Sequence, residues 1–182
     1  MKQVVFGFIE PYCWASGIED IAQESGFALF GFGDFVRDFI KNEGFGDVEL
    51  FREVKNYLDN GVAFPKDPLV KICMMGIQPH LQKNIMVSGF SRYQELLEAL
   101  EKEGYELKYC FYVYHETLDI ILNNYRQKGL PDIAESMEKY VLHKRKLWEE
   151  RVFNAMPYPL LRIGYNLGKF EEFKENIKRL FA

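Results

Sequence analysis

Residues 84–114 hold the pattern that most narrows what this chain can fold into. Ile85-Met86-Val87 is a short apolar run, Gly89-Phe90-Ser91-Arg92 a loop, residues 93–104 repeat apolar positions at helical spacing, and residues 109–114 are apolar at consecutive positions. Strand, helix and strand within about 30 residues make a βαβ unit. A strand apolar on both faces belongs inside a parallel sheet, where helices cover both sides. The remainder of the chain alternates in the same way. Strands are predicted at residues 3–9, 27–30 and 160–163, and helices from Ile18 toward Gly26, from Phe35 toward Gly44, and over residues 48–58, 68–77, 117–127, 133–153 and 171–181. The predicted fold is α/β, three layers with a parallel sheet flanked by helices. The binding crevice of such a sheet lies at the carboxyl ends of its strands.

With 182 residues the chain has the length of one domain, and no low-complexity tract or internal repeat divides it. Its 23 basic residues against 27 acidic ones leave a net charge of −4, which offers no footprint for nucleic acid or for an anionic membrane. Any phosphate site must be local. The three cysteines (Cys13, Cys73, Cys110) are too scattered for a disulfide framework, and no two Cys or His stand at metal-ligand spacing, so no metal site is expected. Without an eighteen-residue apolar run or a signal-peptide pattern, the expected location is the cytoplasm.

Three loops, two after predicted strands and one between predicted helices, carry the chemistry. Gly33-Asp34-Phe35-Val36-Arg37, Gly61-Val62-Ala63-Phe64-Pro65 and Gly89-Phe90-Ser91-Arg92 resemble, in order and at similar spacing, the G-D-x-x-R, G-x-x-V-P and D-G-F-P-R segments of the adenylate kinase family of nucleoside monophosphate kinases. Leu100, Gly104, Leu107 and the strand at 109–114 resemble the helix and strand after D-G-F-P-R in that family, and Asp132 with Glu135 resembles part of its R-x-D-D-x-x-E segment. The resemblance spans nearly the whole chain. It implies a single P-loop nucleoside monophosphate kinase-like domain over residues 1–182, with a helical monophosphate-binding insertion at about 33–64 and a lid shortened to about 126–132.

It also implies roles. Arg37 and Arg92 match the family arginines that hold the acceptor phosphate, a task suited to planar guanidinium donors. Gly33 and Asp34 belong to the first of the three segments and Gly89 to the third. Gly61, Val62 and Phe64 match the wall beside the acceptor base, Gln94 stands two residues from the place of the base-reading glutamine, and Arg126 matches one arginine before the lid. Without the resemblance, Asp34 is a helix N-cap, Arg37 a solvated charge one turn on, and Gly89-Phe90-Ser91-Arg92 a plain strand-to-helix turn.

The donor side departs from the family. A P-loop needs glycines, a lysine and a hydroxyl to cradle phosphates and magnesium. Here Gly7-Phe8-Ile9-Glu10-Pro11-Tyr12-Cys13-Trp14-Ala15-Ser16 has no lysine, Pro11 removes an N–H, Glu10 adds negative charge, and Tyr12 and Trp14 are expected to fill the loop. The family acid that helps order Mg²⁺ is Ser88, and the lid lacks its arginines. Since phosphoryl transfer rests on positioning and charge stabilisation, the expected protein is a degenerate member of the family, a pseudokinase without catalytic residues. It binds a nucleoside monophosphate or a protein partner and needs no cofactor; Mg²⁺ enters only if the donor site works. The rival within this reading is an active kinase with an unorthodox donor loop.

A second resemblance starts from the same loop. Pro11-Tyr12-Cys13-Trp14-Ala15-Ser16 is similar to the C-x-x-S segment of thioredoxin-like and glutathione transferase-like enzymes, which implies a nucleophilic Cys13 at a helix N-terminus. The plain alternative is a buried apolar thiol. His115-Glu116 reads as a cap or surface pair, the stripe Tyr109, Phe111, Tyr112, Tyr114 and Trp148 as core, and Lys144-Arg145-Lys146 with Arg151 as a solvated helix face.

Overall fold

The computed structural model describes residues 2–60, 66–90 and 92–182. Five parallel strands, β1 (Lys2–Ile9), β2 (Phe27–Gly31), β3 (Asn84–Ser88), β4 (Tyr105–His115) and β5 (Leu160–Tyr165), form one sheet in the order β2-β3-β1-β4-β5. Among the described residues eight α-helices flank it: α1 (Ala15–Glu24), α2 (Phe32–Lys41), α3 (Val48–Asp59), α4 (Lys66–Ile77), α5 (Tyr93–Lys102), α6 (Leu118–Gln127), α7 (Pro131–Arg151) and α8 (Phe170–Phe181). The α/β architecture with an all-parallel sheet is therefore present.

The central position of β1 follows from its composition. Val4, Val5, Phe6 and Phe8 are buried on both faces, and the strand pairs β3 on one side and β4 on the other. On one face Val4, Phe6, Phe8, Val87 and Tyr112 pack against Cys73 of α4, Leu96 of α5 and Trp148 of α7. On the other, Val5, Met86, Phe111 and Val113 pack against Ile18 and Ile21 of α1 and Phe173 and Ile177 of α8. Each such side chain removed from water stabilises by about 1.5–3 kcal/mol before entropy is counted. Gly7 is the exception in the strand. A Cβ there would lie 2.7 Å from the Phe111 ring, so the close approach of the large β4 aromatic selects glycine.

Two smaller clusters lie beside the sheet. Phe39, Leu50, Val54 and Ile72 join α2, α3 and α4, while Leu118, Leu122, Ala134, Met137 and Val141 close α6 on the first half of α7. The second half of α7 carries Trp148 onto the sheet. No described helix is long and apolar enough to cross a membrane.

The strand order fixes where a crevice can form. The chain leaves β1 toward β2 on one side and leaves β4 toward β5 on the other, so the connections part at the carboxyl ends of β1 and β4.

One local expectation is corrected here. Asp34 does not cap α2. The helix starts two residues earlier, with Gly31 at the N-cap, and Asp34 lies within the first turn. The apolar side chains of Phe32 and Phe35, packed against the core, draw the first turn down onto the sheet.

Candidate functional site

At the end of β1 the backbone of Glu10 still donates to the Val113 carbonyl of β4, which carries its side chain into the point where the connections part. The carboxylate is fully enclosed, with 0 % side-chain exposure. An isolated buried charge costs far more than a fold can spare, so it must be matched. Arg145 of α7 donates to both oxygens, Nε to Oε1 at 2.6 Å and Nη2 to Oε2 at 2.9 Å. Tyr112 donates its hydroxyl to Oε1, and the His115 backbone N–H donates to Oε2 at 2.8 Å. Four donors thus fill the four lone-pair directions of the carboxylate.

Burial is the largest influence on Glu10 and pushes its pKa up, but Arg145, Tyr112 and the His115 N–H together outweigh it and hold the carboxyl below its ordinary value. The same bond raises Arg145, and burial followed by the Glu10 contact raises the Tyr112 phenol. The resulting charge state is an ionised carboxylate, a guanidinium and a neutral phenol.

The turn between β1 and α1 is short and tight. Cys13 N–H donates to the Glu10 carbonyl at 3.1 Å, and Tyr12 adopts φ +67° and is 60 % exposed. Trp14 lies over α1, where a Cβ on Gly17 would meet its ring at 1.9 Å, and contacts Phe170 and Phe173 of α8. The expectation that Tyr12 and Trp14 together fill this loop is corrected: Tyr12 faces solvent, while Trp14 packs sideways and the Glu10–Arg145 pair occupies the centre.

Two further expectations change at this point. Arg145 is not part of a solvated helix face, because α7 crosses the end of β4 and the side chain turns inward to Glu10. His115 is not a surface cap; it is 4 % exposed, its Nε2 contacts the Pro11 carbonyl at 2.8 Å, and its ring stands edge-on to Tyr165. Neither signal was available from spacing, since the partners are 135 and 104 residues apart. The nearest clue is Glu10 itself, a carboxylate directly after a buried central strand, which requires a cationic partner from somewhere in the chain.

Cys13 is 1 % exposed, and burial, then the Glu10 charge, push its thiol up. That is the reverse of an activated helix-terminal nucleophile. Although cysteine and histidine spacing predicted no metal site, Glu10, Cys13 and His115 each bring a donor atom to within 4.8 Å of the others.

Of the residues matched to an acceptor site, Arg37 and Arg92 follow the neighbouring strand ends. Gly31 of β2 pairs with Ser88 of β3, so the segments carrying Arg37 and Arg92 leave the sheet side by side. Gly33, Asp34 and Arg37 lie in α2, where Arg37 pairs with Asp34 and is 74 % exposed. Gly89 turns the chain after β3 at φ +76°, Arg92 is the N-cap residue of α5 and pairs with Glu95 at 3.3 Å, and Gln94 is exposed in the first turn. Arg126 lies apart from both, tying α6 to Glu138 of α7 at 2.9 Å. Gly61, Val62 and Phe64 lie outside the described residues, as does Ser91.

Comparison of the chain with protein-family models and with curated proteins returned no match.

Proposed function

We propose that this chain is a P-loop nucleoside monophosphate kinase-like protein with a closed donor site, which binds a nucleoside monophosphate through Arg37 and Arg92 and does not transfer phosphate. One observation carries the reading: the end of β1, where a donor loop would stand in that fold, holds a buried carboxylate saturated by Arg145, Tyr112 and the His115 N–H.

A phosphate brought to this place would find the local cation already taken and the carboxylate oxygens in its way. Arg145, the cation bonded there, is already committed in bidentate form to Glu10. The neighbouring arginines are different in kind. Arg37 and Arg92 pair with carboxylates of their own helices at the surface, and such pairs contribute about 0–1 kcal/mol. A doubly charged phosphate held by two guanidinium forks can displace them.

Thermal-shift measurements with AMP, CMP, GMP, UMP and ATP test the reading. Stabilisation by a monophosphate, lost in Arg37→Ala and Arg92→Ala, with no response to ATP, is the expected result. Production of ADP from ATP and a monophosphate with Mg²⁺ would favour the active-kinase alternative, and indifference to every monophosphate would remove the acceptor site altogether.

A further inference from the structure

The side chains of Cys13, just before α1, and His115, the last residue of β4, make no hydrogen bond to Glu10, Arg145, Arg37 or Arg92 among the described residues, yet they meet in the interior. Cys13 Sγ, a ring nitrogen of His115 and a carboxylate oxygen of Glu10 lie within 4.8 Å of one another. The residues are 1 %, 4 % and 1 % exposed, in that order. Because the Pro11 carbonyl can only accept, His115 Nε2 must carry the proton of their 2.8 Å contact. Nδ1 is left as a bare lone pair. It is buried and has no hydrogen-bond partner among the described residues.

An imidazole whose outer N–H is fixed on a backbone carbonyl, with the other nitrogen naked and a thiol close by, has the orientation of a metal ligand. We infer that Cys13 and His115, with Glu10 as third donor, form a binding site for a borderline divalent cation, zinc being the ion that this sulfur, nitrogen and oxygen set fits best. The Cys13 thiol proton passes to solvent as the ion takes its place on sulfur. Glu10 joins by giving up one of its four hydrogen bonds to the ion. Donor atoms around tetrahedral zinc stand about 3.3–3.7 Å apart, so a cluster whose donors lie within 4.8 Å of one another needs at most about 1.5 Å of closure. At the sulfur the Glu10 charge outweighs that of Arg145, which favours a cation there. None of this involves Arg37 or Arg92, so the zinc site and the monophosphate site fail or stand separately.

Cobalt(II) titration of metal-free wild-type protein is the test. The expected result is a near-ultraviolet sulfur-to-cobalt charge-transfer band with visible ligand-field bands, both removed by zinc. Cys13→Ser loses the charge-transfer band, His115→Gln weakens binding by tenfold or more, and Cys73→Ser with Cys110→Ser leaves the spectrum unchanged. Zinc at about 100 times its Kd raises the melting midpoint by roughly 5–10 °C. A wild-type protein with no charge-transfer band, or a band that survives Cys13→Ser, overturns the inference. Zinc-edge X-ray absorption of the wild type serves where variants fail to fold: one sulfur at about 2.3 Å is expected, and a first shell without sulfur overturns it.

Discussion

Two arginine–carboxylate arrangements stand at the carboxyl ends of the same sheet, and they differ in what water can reach. At β1 and β4, Glu10 is sealed and every lone-pair direction is taken, with Arg145 as its fork. At β2 and β3, Arg37 and Arg92 remain partly or largely exposed, each on a carboxylate within its own helix. The same chemistry therefore has opposite consequences. A buried pair cannot exchange its partner without stranding a charge, whereas surface pairs exchange with little loss. The first arrangement seals the end of β1, and the second is the one proposed to meet a ligand.

Substitution separates the two most sharply. Arg145→Ala strands the Glu10 carboxylate and is expected to destabilise the fold by about 3–5 kcal/mol, against a change within about 0.5 kcal/mol for Arg37→Ala; urea unfolding of both variants measures the gap. Comparable losses would place the two arginines in the same class and break the contrast.

Ligand affinity comes next. Each of Arg37→Ala and Arg92→Ala is expected to weaken monophosphate binding by about 1.5–3 kcal/mol, the contribution of hydrogen bonds to a charged group, while Gln94→Ala discriminates less between bases than either arginine does between phosphate and nucleoside. Calorimetric titration with AMP, GMP and adenosine reads both.

The acid limb of stability sharpens the buried side. Because the folded Glu10 pKa lies below its ordinary value, its contribution is complete above the unfolded pKa and is lost as pH falls through the folded one. In chelator-containing buffer, Glu10→Gln should therefore show a flatter loss of stability below the usual carboxylate range than wild type. An equally steep acid limb would mean that Glu10 is not held ionised by its partners.

A small effect, on stability alone, is expected at Arg126, whose bond to Glu138 joins α6 to α7 at a half-exposed position. Arg126→Ala should cost at most about 1 kcal/mol in thermal unfolding and leave monophosphate binding unchanged.

The strands were legible because buried parallel strands write themselves as continuous apolar runs, as in Phe6, Phe8 and the aromatic stretch Phe111 to Val113. The burial of Trp148 was equally plain from its apolar neighbours on α7. Helix ends were less so: the aromatic contacts of Phe32 and Phe35 start α2 before Asp34. The centre of the candidate site was not legible. Nothing local distinguishes Arg145 from Lys144 and Lys146, and only the crossing of α7 over the end of β4 turns one of them inward. His115 is likewise decided by tertiary placement, because its neighbour Glu116 is exposed while its own ring is enclosed against Tyr165.

The most direct test of a closed donor end beside an open acceptor end is calorimetric titration of one wild-type sample with AMP and a second with ATP and Mg²⁺. Saturable heat from AMP and none from ATP is the result expected here; saturable ATP binding to the wild type that persists undiminished in both Arg37→Ala and Arg92→Ala would contradict it.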